Sequence, residues 1–140
     1  MSELAMKEIK TEEELKSVLE LCYRILGNDN EEIYGFEACR GRLQECGHPM
    51  VYAVKDDTIV SAVLGRSEGN GNVIIGMVAC HEDYRRQGIT RKLMGYFEEC
   101  AKEMGFNRAT LGSRADGFYE SCGYKVIFNT GYQNVFQKKF

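Results

Sequence analysis

The sequence predicts one α/β domain of the α+β kind: a mixed, mostly antiparallel sheet with helices on both faces. Three observations predict it. First, 140 residues, 44% hydrophobic and 28% charged, suit one globular domain with its own core. Second, three apolar, β-branched segments follow one another between residues 51 and 79 with turn residues between them, as in an antiparallel meander. Third, residues 73 to 111 read strand, long helix, strand. That crossover makes its two strands parallel. No repeat, low-complexity tract or linker divides the chain, so the domain is expected to span residues 1–140.

Met6 to Ile9 forms a short first strand. Thr11 to Glu14 reads T-x-x-E, a capping box that satisfies the free amides of a helix start. Leu15, Val18, Leu19, Cys22, Ile25 and Leu26 follow at helical spacing, and Gly27 stops the helix. Asn28 to Tyr34 reads as a polar, acidic loop. Phe36 to Cys46 is a shorter helix, ended by Gly47 and Pro49. The meander strands are Val51–Val54, Ile59–Leu64 and Val73–Ala79, turned by Asp56-Asp57 and by Gly69-Asn70-Gly71. Gly76 interrupts the third strand. It marks a bulge or a close backbone approach, or is simply a glycine on a packed strand.

Leu93, Phe97, Cys100, Ala101 and Met104 form one face of a long helix ending at Gly105. Arg108–Leu111 is the strand that closes the crossover. Ala115–Cys122 reads as a short helix stopped by Gly123. Tyr124–Asn129 and Asn134–Lys138 form a closing hairpin around Thr130-Gly131.

Composition excludes several classes of function. The net charge of −3 argues against a general nucleic-acid binder. No apolar run approaches the roughly 18 residues of a membrane span. The start, MSELAMKEIK, lacks the apolar core of a signal peptide. The six cysteines form no C-x-x-C pair and only two histidines are present, so no metal site is expected. Most of the cysteines fall within apolar patterns, which implies free thiols in a reducing cytoplasm.

The stretch that carries chemistry is Tyr84-Arg85-Arg86-Gln87-Gly88-Ile89-Thr90-Arg91-Lys92, between a strand and a helix. No Ser, Asp or Asn stands at the helix start, which leaves several backbone amides free. Free amides and the positive end of the helix dipole suit a phosphate. Gly88 lacks a Cβ, so a diphosphate can approach the backbone. Four cations with no acid between them add attraction. The plainer alternative is a solvated basic helix end.

This stretch resembles the pyrophosphate-binding loop of the GCN5-related N-acetyltransferases (GNAT), R/Q-x-x-G-x-G/A. Arg85, Gly88 and Thr90 fall on its pattern positions, with Thr90 in place of the usual Gly or Ala. Its side chain either crowds the loop or donates its hydroxyl to a phosphate. Gly117-Phe118-Tyr119-Glu120-Ser121-Cys122-Gly123-Tyr124 resembles the family's late FYE-x-x-GF/Y segment. The elements between the two motifs are those of the family. The resemblance covers the chain by element order and is sharpest over residues 73 to 124.

The resemblance implies a GNAT-like acyl-CoA transferase fold and acetyl transfer from acetyl-CoA to a primary amine of a small molecule or peptide, by direct attack in a ternary complex. The diphosphate would be held around Arg85, Arg86, Gln87, Gly88, Ile89 and Thr90. The pantetheine arm would pair with the strand edge at Met77, Val78 and Ala79, with the Val78 N–H facing the developing oxyanion. Tyr119 matches the family's general acid, the alternative being an ordinary core aromatic.

Tyr84 and Tyr124 read as packing residues, and His48 as a turn residue. His81 and Glu82 read as structural. Asp29, Glu31 and Glu32 either attract a cationic amine or solvate their loop. A homodimer is compatible with this reading. The alternative function is a non-catalytic acyl-CoA-binding sensor or interaction module. A nucleotide enzyme is disfavoured, since neither G-x-x-x-x-G-K-[ST] nor G-x-G-x-x-G occurs.

Overall fold

The computed structural model describes residues 3–115 and 117–140. Strand β1 (Ala5–Glu8) leads into the predicted capping box. The Thr11 hydroxyl accepts from the Glu14 N–H at 3.1 Å, and the Glu14 carboxylate accepts from the Thr11 N–H at 3.0 Å. Helix α1 (Glu12–Leu26) follows and ends at Gly27. Residues read as a polar loop contain one helical turn, α2 (Glu31–Tyr34), capped by the Asn30 side chain. Its acids sit in that first turn, where they favour the helix dipole. Helix α3 (Phe36–Glu45) is as predicted to within a residue.

The meander is β2 (Met50–Lys55), β3 (Thr58–Gly69) and β4 (Asn72–Cys80). β3 runs five residues beyond the predicted Leu64, because the turn is tighter than its polar flanks suggested. Asn70 and Gly71 both take positive φ, 53° and 78°, as a two-residue hairpin turn requires. Helix α4 (Ile89–Glu103), β5 (Arg108–Ser113), α5 (Phe118–Ser121), β6 (Lys125–Asn129) and β7 (Asn134–Lys139) complete the chain. The short helix read from Ala115 begins only at Phe118, and residue 116 of that reading lies outside the described residues.

The seven strands form one sheet in the order β1-β2-β3-β4-β5-β7-β6. Every pairing is antiparallel except β4 with β5, the predicted crossover. Two cores lie on opposite faces. Leu93, Met94 and Phe97 of α4 pack on Val51, Val60 and Val63. Leu15, Val18 and Leu19 of α1 pack on Tyr52, Ala62 and Leu64.

Gly76 divides β4 between the two cores. Leu64 pairs with Met77 but Gly65 pairs with Ile75, so Gly76 is an extra residue on β4. A one-residue slip turns every later side chain to the other face. Accordingly Val73 and Ile75 pack on the α4 side, while Met77 and Ala79 pack on the α1 side. The bulge and the close approach are both present here: a Cβ on Gly76 would fall 2.7 Å from Tyr34 Cε1.

All six cysteines are unpaired. Among the described residues no helix is long and apolar enough to cross a membrane.

Candidate active site

β4 and β5 pair only through Asn72–Ile74 and Arg108–Thr110. Beyond Ile74 the ladder stops, just before the bulge at Gly76. A bulge bends its strand, so the two strands part towards their C-terminal ends. A cavity of about 500 Å³ adjoins this parting, with Val78, Ala79 and Cys80 of β4 along one wall. Ala115, Phe118 and Tyr119 line another.

A third wall is the loop into α4. Arg86 and Gly88 take positive φ, 65° and 75°, and Gly88 caps the helix without any side-chain hydrogen bond. Among the described residues the backbone N–H groups from Gly88 to Arg91 meet no acceptor; the first to donate is that of Lys92, to the Gly88 carbonyl at 3.1 Å. Nothing lies within 4 Å of where a Gly88 Cβ would stand, so the space over the loop is open. Arg85, Arg86, Ile89 and Thr90 line the cavity too. The arrangement is a cluster of unmet donors at the positive end of a helix of fifteen residues.

Thr90 lines the cavity, and its hydroxyl is engaged with a strand residue. The Ser61 hydroxyl donates to the Ala79 carbonyl at 2.9 Å, and its oxygen lies 2.9 Å from Thr90 Oγ1. Ser61 has one hydrogen, already directed at Ala79. Thr90 must therefore donate to Ser61. Its hydroxyl proton is thus engaged by Ser61.

Tyr119 is 9% exposed and borders the cavity. Its ring packs against Phe118 at 5.0 Å and Phe136 at 5.5 Å between centroids. Burial, with the Cys122 thiol as a lesser cause, pushes its phenol up to about 12. It is thus protonated throughout the physiological range. A buried network steadies the helix that carries it. Glu98 accepts from the Tyr124 hydroxyl at 3.0 Å and from Lys138 Nζ at 2.8 Å, and Lys138 also donates to the Cys122 carbonyl at 2.8 Å. On the other side Arg91 donates to Ser121 Oγ at 2.9 Å.

The remaining expectations divide. The Met77 side chain is buried in the α1-side core, so only its backbone faces the strand edge. Gln87 is absent from the cavity lining and accepts from Lys55 Nζ at 3.2 Å. His81 Nδ1 accepts from the Asp83 N–H at 3.1 Å, capping a 3₁₀ turn at Glu82–Tyr84. Glu82 pairs with Arg24, which holds its carboxyl below the usual range. His48 supports its turn by accepting from the Ser67 N–H at 2.9 Å. The sequence reading missed Ser61 and Glu98. Glu98 alone carried a signal: it falls between Met94 and Ala101 on the apolar face of α4, where an acid requires partners.

The model of the acetyltransferase (GNAT) family matches residues 12–124, and the chain belongs to that family. The "Probable N-acetyltransferase 14" of Xenopus tropicalis is 30% identical over 77 residues, 51% of this chain. The match spans only 37% of that relative's length. Among solved structures, an acetyltransferase of the GNAT family from Staphylococcus aureus Mu50 superposes with a TM-score of 0.82 at 16% identity, covering 98% of this chain and 99% of that one. The PaiA N-acetyltransferase of Thermoplasma acidophilum, in complex with coenzyme A, gives 0.80 at 15% identity and 99% coverage of both chains. An aminoglycoside 6'-N-acetyltransferase complexed with coenzyme A gives 0.78 at 14% identity, with 96% of each covered. At these identities the likeness is one of fold.

Proposed function

We propose that this chain is an acetyl-CoA-dependent N-acetyltransferase acting on a primary amine by direct attack in a ternary complex. One observation carries the reading: the unmet amides of the α4 start and the Tyr119 phenol border a single cavity. A sensor needs the amides alone. An enzyme also needs a proton donor for the leaving group.

The residues fit the cosubstrate. The amides around Gly88, with Arg85 and Arg86, suit the diphosphate. The β4 edge beyond Ile74, no longer paired to β5, suits the amide-bearing pantetheine arm. The Val78 N–H is the candidate donor to the carbonyl oxygen as it gains charge.

In the transfer, the amine lone pair forms a bond to the acetyl carbon and the carbon–sulfur bond breaks. Its electron pair leaves on sulfur, which takes the Tyr119 proton. The attacking nitrogen loses a proton to solvent, and Tyr119 is reprotonated from solvent. None of His48, His81 and Glu82 lines the cavity, so the base is assigned to water.

Calorimetry with acetyl-CoA and CoA, followed by thiol release over an amine panel, tests the reading. Binding with turnover supports the enzyme. Binding without turnover of any amine returns the chain to the sensor reading, and absence of binding rejects both.

A further inference from the structure

Nine arginines stand in the chain; five have hydrogen-bond or ion-pair partners, and the exposed Arg114 lies over the Tyr132 ring at 4.7 Å. Arg24 pairs with Glu82 and Arg40 with Glu37; Arg42 donates to the Ile33 carbonyl, Arg91 to Ser121 and Arg108 to the Asn70 carbonyl. Arg85 and Arg86 line the cavity described above. Arg66 is different. It is half-buried, lies on the opposite face of the sheet, and makes no hydrogen bond or ion pair among the described residues.

Its position follows from the sheet. A Cβ on its neighbour Gly65 would point at Phe97 of α4, so Arg66 faces away from α4. It pairs in register with Ile74, the last β4 residue joined to β5. Its guanidinium carbon lies 5.7 Å from the centre of the Tyr34 ring. A Cβ on Gly76 would fall 2.8 Å from Arg66 Nη1. The bare glycine at the bulge is therefore what lets the guanidinium lie against β4 where the strands begin to part.

The surroundings hold this arrangement still. The Tyr23 hydroxyl donates to the Tyr34 carbonyl at 2.6 Å, and Arg42 donates to the Ile33 carbonyl at 2.5 Å, so α2 is tied from both sides. The face beyond is polar. Ala109 and Leu111 pack on the α4 side, which leaves Thr110 on the face of Arg66. There Thr110 Oγ1 donates to Asn72 Oδ1 at 2.9 Å and accepts from Gln137 Nε2 at 3.2 Å.

A half-buried guanidinium without a counter-charge is poorly solvated and attracts an anion from solution. Its fork of N–H donors matches a carboxylate or a phosphate. We propose that Arg66 recognises the acceptor by binding an anionic oxygen group, carboxylate or phosphate, on the amine that is acetylated. The proposal rests on the acetyltransferase reading above. Gly76 and Val78 are two residues apart on β4, about 7 Å at roughly 3.3 Å per residue. With one hydrogen bond at the anion and a contact at the acetyl carbon, only a short spacer fits between anion and amine. The acceptor is thus a compact amino acid or amino phosphate, and a long polyamine is excluded.

The test uses matched pairs. Glycine, alanine, glutamate and phenylalanine are compared with their amides, and phosphoethanolamine with ethanolamine, by CoA thiol release at saturating acetyl-CoA. The first set reads a carboxylate and the second a phosphate. The anionic member of at least one pair should lead in kcat/KM by about 10- to 100-fold, the range of a charge-assisted hydrogen bond. Arg66→Gln should collapse that ratio towards one through KM, with acetyl-CoA affinity held. Arg66→Lys keeps the charge without the fork and should retain part of the preference; it carries the test if Arg66→Gln does not fold.

Three outcomes overturn the proposal: equal rates within both sets, a preference that survives Arg66→Gln and Arg66→Lys unchanged, or turnover of no anionic amine. Each leaves acetyl-CoA binding standing. Failure of the wild-type chain to bind acetyl-CoA in calorimetry is a separate result, which removes the acetyltransferase reading itself.

Discussion

Thr90 and Ser61, 29 residues apart, join the start of α4 to strand β4. Thr90 donates to Ser61, and Ser61 donates to the Ala79 carbonyl, each over 2.9 Å. Ser61 is fully buried. The two hydroxyls therefore fix the distance between the amides proposed for the diphosphate and the strand edge proposed for the pantetheine arm. The Thr90 hydroxyl is accommodated at the start of α4 because Ser61 opposite accepts its proton.

The pair should behave as a unit. Thr90→Val keeps the shape and loses one hydrogen bond, at about 0.5–1.5 kcal/mol. Ser61→Ala leaves the Thr90 hydroxyl without its acceptor and should cost on the order of 1–3 kcal/mol. The double variant should be less destabilised than the sum, since the second change removes a group already orphaned. Denaturant unfolding of the four proteins measures this. Strict additivity would show that the hydroxyls are not coupled.

Gly88 should be needed for its bareness and for its backbone. At φ 75° a side chain is strained, by roughly 1–2 kcal/mol. Yet no atom stands within 4 Å of its Cβ position, so Gly88→Ala and Gly88→Val should both fold. Acetyl-CoA affinity should fall from Gly to Ala to Val, because added bulk lies where the diphosphate approaches. Unchanged calorimetric affinity in folded Gly88→Val would place the anchor elsewhere.

What was legible in the sequence was local. Asp56-Asp57 and Asn70-Gly71 announced their hairpins, and all four residues take the positive φ such turns need. The loop motif was visible because the missing cap at Gly88 is itself a sequence fact. The turn at Glu31–Tyr34 was not, since four residues are too few to show a helical period. Nor was the insertion of β7 between β5 and β6, which depends on strands meeting late in the chain. Gly76 was read as ambiguous because its two effects, a change of face and room for Arg66 against Tyr34, need partners far away in sequence. Ser61 lies among β-branched neighbours and looked like an ordinary strand residue; only its partner 29 residues on explains it.

Glu98 should matter to catalysis without touching the substrate. It is 8% exposed and takes hydrogen bonds from Tyr124 and Lys138, the latter holding the Cys122 carbonyl at the end of α5. Glu98→Gln removes the charge that balances Lys138. Because the Lys138 side chain keeps 30% exposure, water softens the loss. The expected destabilisation is on the order of 1–3 kcal/mol. Since α5 carries Tyr119, kcat should fall more than acetyl-CoA affinity. A variant that loses stability with kcat intact would limit this network to folding.

Tyr119 carries the prediction that decides the mechanism. Tyr119→Phe keeps the ring and its contacts with Phe118 and Phe136. Stability should change little, while kcat falls by about 10²–10⁴, the usual contribution of a general acid. Acetyl-CoA affinity should hold, because the amides of the α4 start are untouched. The pH profile gives a second readout. A free phenol ionises near 10, and a general acid of that kind would lose activity above it. Burial raises this phenol to about 12, so its acid form persists to higher pH. The wild-type kcat should therefore rise as the amine deprotonates and show no fall up to about pH 10.5. In Tyr119→Phe the same profile should stand lower at every pH. The measurement is kcat across pH 7 to 10.5 on both proteins, with acetyl-CoA affinity and melting temperature on the same samples. Wild-type kcat in Tyr119→Phe, with chemistry shown to limit turnover, would return Tyr119 to the core. A wild-type profile falling near pH 10 would assign the proton to a more exposed group.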